Sequence, residues 1–108
     1  MTAVMNDVEA LVKKELDSAN SQFPLFRSPH EGFAVILEEI DECTEDVQAL
    51  QTIMFSNVWS GIKANADVAE SVLRLRSKAK NLATETIQVA AMCDKYIESR
   101  ETWRSTVE

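Results

Sequence analysis

Residues 28–42 read SPHEGFAVILEEIDE, and this stretch decides the fold. Ser28 followed three residues later by Glu31, with Pro29 at the first helical position, is a capping-box start signal. From there Phe33, Ile36, Leu37, Ile40, Cys43, Val47, Leu50, Met54 and Ile62 trace one apolar stripe at helical spacing. The pattern predicts a helix from residue 29 to about residue 62, with Gly61 near its end.

Working outward, Val4, Val8, Leu11, Val12, Leu16 and Ala19 form a second amphipathic pattern. It predicts a helix over about 3–20, ended by Asn20-Ser21. Residues 21–29 between the two patterns read as a loop. Its Phe23, Leu25 and Phe26 either plug one end of a bundle or border a substrate pocket. Toward the C-terminus, Asn65-Ala66-Asp67 marks a turn, and Asp67 with Glu70 forms another capping box. The helix it opens carries Val72, Leu75, Ala79, Leu82, Thr86, Val89, Cys93 and Tyr96 on one face, and is expected to reach about residue 100 before a fraying tail.

Composition agrees. The 108 residues suit one domain, 1–108, and 45% hydrophobic content excludes a disordered chain. Only 2 Gly and 2 Pro occur, which favours few, long elements. No strand pattern is present, so the expected fold is all-α, a helical bundle built on a long antiparallel helix pair. The net charge of −7 disfavours a nucleic-acid polymer as partner. Cys43 and Cys93 form no CxxC and read as reduced thiols of a cytoplasmic protein, with a disulfide as the other reading. Neither a secretory leader nor an apolar run of membrane-spanning length is expected.

Glu38, Glu39 and Glu42 form an EExxE cluster. At 3.6 residues per turn, Glu38 and Glu42 lie about 40° apart around the helix and Glu39 about 60° from Glu42. Three carboxylates on one arc repel one another, and a hard, oxygen-seeking cation such as Mg²⁺ would turn the repulsion into ligation. The plain alternative is a solvated acidic face. On the last helix, Lys78, Asn81, Glu85, Gln88 and Met92 share one side, beside the apolar stripe. Glu42 and Glu85 are equidistant from a turn at residues 63 and 64, as are Glu39 and Gln88. Two unbroken antiparallel helices would therefore bring the two rows level.

The run from Phe23 to Phe26 together with residues 28–42 resembles bacterial and phage proteins related to MazG, and ETIQVAAM at residues 85–92 resembles their second motif. Together these runs cover under half the chain. The resemblance implies an all-α, Mg²⁺-dependent nucleoside triphosphate pyrophosphohydrolase, cleaving between the α- and β-phosphates to give a monophosphate and pyrophosphate. It implies Glu38, Glu39, Glu42 and Glu85 as metal ligands. The family's second motif ends in an aspartate, where this chain has the neutral Gln88. Within that scheme Glu39 is the expected catalytic residue, orienting or deprotonating water. Lys78, Asn81 and Gln88 are expected to bind substrate, although Lys78 reads equally well as a solvent-facing lysine.

His30 reads as a capping-loop residue, Trp59 as core or subunit interface, and Trp103 as a tail residue packing on a neighbour. Three principal helices bury a core poorly, so a homodimer or higher homo-oligomer is expected. The competing readings are a MazG-like regulator with weak or no catalysis, and a structural bundle whose acidic face only solubilises it.

Overall fold

The computed structural model describes residues 4–107, with side chains described for 4–103. All of its regular elements are helical: α1 (Met5–Gln22), α2 (Pro29–Thr52), a π-helical segment (Ile53–Val58) running directly into α3 (Trp59–Lys63), and α4 (Ala69–Val107). No strand occurs among the described residues, and none of their helices is long and apolar enough to cross a membrane. The chain up to Ile40, together with the chain from Thr86 onward, forms one compact unit; Asp41–Glu85 forms a second.

The first unit holds the core. Val12 and Leu16 of α1 pack with Phe26 of the loop and with Ala91 and Met92 of α4. Val8, Ala19, Val35 and Ile36 close around them. Of the α1 stripe read from the sequence, Val8, Val12, Leu16 and Ala19 meet the core, while Val4 and Leu11 are exposed. The start of α2 also forms as its sequence dictates, with the Ser28 hydroxyl accepting the Glu31 amide at 3.2 Å. The loop is tied down at both of Phe26's backbone groups. Its N–H donates to Ser99 Oγ at 2.9 Å, and its C=O accepts from Trp103 Nε1 at 2.9 Å. Trp103 also meets Tyr96 edge-on, with centroids 5.1 Å apart. It therefore packs within its own chain, on a helix that extends beyond residue 100. Gly32 is required where α2 passes this aromatic group: a Cβ there would come within 2.6 Å of Tyr96 Cδ2 and 3.2 Å of Phe26 Cδ2.

In the second unit the long pattern read as one helix is interrupted. Residues 53–58 adopt π geometry, and its two buried side chains are Ile53 and Val58. Five residues apart, they would point well away from each other in an α-helix; an i→i+5 turn brings them toward one face. The apolar requirement at both positions thus accounts for the local unwinding. The end of α3 is a Schellman motif. Asn65 is left-handed at φ 56°, Ala66 N–H reaches Gly61 O at 2.9 Å, and Asn65 N–H reaches Ile62 O at 3.0 Å. The side chain of Val68 closes against Gly61, in space a Cβ would occupy. At the next start signal, Asp67 accepts the Ala69 amide at 3.0 Å, so this cap acts two residues on instead of three.

The connection occupies residues 64–68, later than the turn at 63 and 64 on which the level count rested. With a π segment in the same arm, residue number is not a measure of height along it.

The apolar stripe of α2 is largely uncovered. Phe33, Leu37, Ile40 and Val47 are exposed, as are Met54, Phe55, Trp59 and Ile62 beyond it. Three helices offer too little surface to cover both sides of α2.

Candidate functional site

Two cavities open in the first unit. The larger, about 640 Å³, has walls that are almost wholly apolar, from Phe33, Ile36, Tyr96 and Ile97, with His30 and Cys93 at its margin. The smaller, about 510 Å³, combines an apolar wall with charged and polar groups: Glu15 from α1, Arg27 from the loop, Glu31 and Glu39 from α2, and Gln88 and Lys95 from α4. Ligand sites pair an apolar body with a few directed polar groups, which favours the smaller cleft as the chemical one.

Glu39, half-buried, has one carboxylate oxygen shielded from solvent. That distinguishes it from its motif neighbours Glu38 and Glu42, which are exposed. The difference follows from position: Glu39 lies on the side of α2 that carries the half-buried Val35 and Ile36, which pack on the core. Gln88 donates from Nε2 to Glu15 Oε1 at 3.4 Å, a long bond. A carboxylate partner accepts only, so the Gln88 amide nitrogen is turned to Glu15 and its oxygen to the other side. Arg27 pairs with Glu31 at 3.1 Å, but the arginine is 85% exposed, so the pair contributes little to stability.

Of the residues singled out from the sequence, the cleft brings together Glu39 and Gln88. Phe23 and Phe26 border it, and Phe26 is a core residue as well. Glu42, Glu85, Lys78 and Asn81 belong to the second unit. There Glu85 also buries one carboxylate oxygen; Lys78 is half-buried and Asn81 exposed. Four carboxylates are the right donor chemistry for a hard divalent cation. Even so, no three His, Cys, Asp or Glu side chains among the described residues are gathered to hold a metal ion. Mg²⁺ is commonly held by one or two carboxylates plus substrate phosphates, so a three-ligand protein cage is not a requirement for it.

Sequence reasoning missed Lys95, Ser99 and Asp46, all buried. The signal for the first two was present. Gln88, Met92, Lys95 and Ser99 continue the row begun by Lys78, Asn81 and Glu85 at three- and four-residue spacing. Met92, Lys95 and Ser99 are the buried part of that row, while Cys93 on the apolar stripe is exposed. Asp46, one turn beyond Glu42, is 8% exposed, and its Oδ2 has no hydrogen-bond partner among the described residues. No protein-family model, no curated protein and no solved structure matches this chain.

Proposed function

We propose that this protein is a Mg²⁺-dependent nucleoside triphosphate pyrophosphohydrolase, related to MazG, whose substrate enters the 510 Å³ cleft of the first unit. What carries the reading is that Glu39, from the first motif, and Gln88, from the second, line the same cleft although they lie far apart in sequence. The shielded oxygen of Glu39 adds support, because a carboxylate beside apolar walls is held in place and acts more strongly on a bound water than one in bulk solvent.

The reaction is hydrolysis at the α,β-phosphoanhydride. Water attacks phosphorus, the bridging bond to the β-phosphate breaks, and pyrophosphate leaves. Glu39 would hold the attacking water and take its proton. Gln88 would offer its outward amide oxygen. Glu38, Glu39, Glu42 and Glu85 are the proposed ligands, and Lys78 and Asn81 proposed phosphate contacts, on the strength of the motif resemblance. When bound, Mg²⁺ supplies positive charge against the phosphate oxygens. A homodimer or higher homo-oligomer is proposed on the exposed stripe of Phe33, Leu37, Ile40 and Val47.

The test is pyrophosphate release from a panel of ribo-, deoxyribo- and base-modified triphosphates with Mg²⁺. Release that falls at least a hundredfold in Glu39→Gln, with unchanged helicity, is the expected result. No release from any member of the panel would favour the other reading, a helical regulator without catalysis, which the neutral Gln88 supports.

A further inference from the structure

Lys95 is a lysine in the wrong place for a structural role. Its side chain is 3% exposed, on a chain whose lysines otherwise sit at or near the surface. Its ammonium lies 5.1 Å from the centroid of the Phe26 ring. Among the described residues it makes no hydrogen bond and no ion pair. Cation–π attraction alone is a weak partner for an ammonium. Lys95 also lines the same cleft as Glu39 and Gln88. Glu15, Glu31 and Glu39 share that cleft.

The surroundings hold the side chain there. The Lys95 carbonyl accepts a 2.7 Å hydrogen bond from Ser99 Oγ, the same hydroxyl that receives the Phe26 amide. The Phe26 ring that faces the ammonium is thereby fixed to the turn of α4 that carries Lys95. This loop-to-helix tie pre-orients a cation toward the cleft before any ligand arrives, which lowers the ordering cost of binding.

We propose that Lys95 is the anion-recognition residue of the cleft, receiving a phosphoryl oxygen of the polyphosphate chain. The identity of the ligand rests on the function proposed above; the existence of an anion site at Lys95 does not. A point charge on a flexible stem suits a phosphate oxygen, and it would leave the carboxylates of the cleft to a phosphate-bound cation. The substrate is then recognised by its charge from the α4 side.

The experiment uses the full chain and three forms: wild type, Lys95→Met and Lys95→Arg. Binding of an α,β-methylene nucleoside triphosphate and of inorganic tripolyphosphate, each with Mg²⁺, is measured by calorimetry. Thermal midpoints are measured without ligand. We expect Lys95→Met to lose about tenfold or more in affinity for both ligands. Its midpoint should stay close to that of wild type, because methionine keeps the packing of the lysine stem. Lys95→Arg should bind more tightly than Lys95→Met. Equal affinity in wild type and Lys95→Met, no binding of either ligand to wild type, or a Lys95→Met form that unfolds would each overturn the proposal. Lys95-dependent binding without pyrophosphate release would leave the anion site standing and remove the hydrolase reading. Hydrolysis with an unchanged KM in Lys95→Met would do the reverse.

Discussion

The hydroxyl of Ser99 accepts the backbone amide of Phe26 at 2.9 Å, joining the interhelical loop to α4. Ser99 is fully buried, so water cannot replace the bond. Ser99→Ala leaves the Phe26 N–H without an acceptor and should cost about 1–3 kcal/mol. Urea denaturation measures it. A midpoint equal to wild type would mean that the loop finds another anchor.

Gln88 donates to Glu15 across the cleft. Gln88→Asp replaces that donor with a second carboxylate, so without divalent cation the variant should be less stable than wild type, by about 1 kcal/mol or more. Mg²⁺ should restore it, and pyrophosphate release should rise, since the second motif regains its charge. Melting curves with EDTA and with Mg²⁺ provide the check. A variant indifferent to Mg²⁺ in both stability and turnover would separate Gln88 from metal binding.

Asn65 closes α3 in the left-handed conformation, at φ 56°. Asn65→Gly should be neutral or slightly stabilising, and Asn65→Val should cost about 1–2 kcal/mol, because a β-branched residue resists that conformation. Equal midpoints for the two variants would show that the Schellman turn rearranges.

Much of this was legible in the sequence, and the misreadings have a common origin. The α1 face and the Ser28 cap could be read because each depends on neighbours one or two turns away. The face of α4 could not. Periodicity assigns the core to the most apolar row, which here includes Val89, Cys93 and Tyr96. The burial of Lys95 and Ser99 depends on Phe26 arriving from a loop about seventy residues earlier. The π segment was hidden for a related reason. Ile53 and Val58 are five residues apart, a spacing that matches no α-helical face, and only packing in the second unit draws both inward. Glu39 shares the covered side of α2 with Gly32, Val35 and Ile36, at three- and four-residue spacing.

The central claim is that Glu39 and the cleft it lines with Gln88 and Lys95 hold a metal–triphosphate complex. It is tested most directly by anomalous scattering from crystals grown with Mn²⁺ and an α,β-methylene nucleoside triphosphate. We predict a Mn²⁺ peak at coordinating distance from a Glu39 carboxylate oxygen, with the triphosphate chain extending toward Lys95. Nucleotide and ion bound together elsewhere on the chain, with the cleft unchanged, would contradict the account.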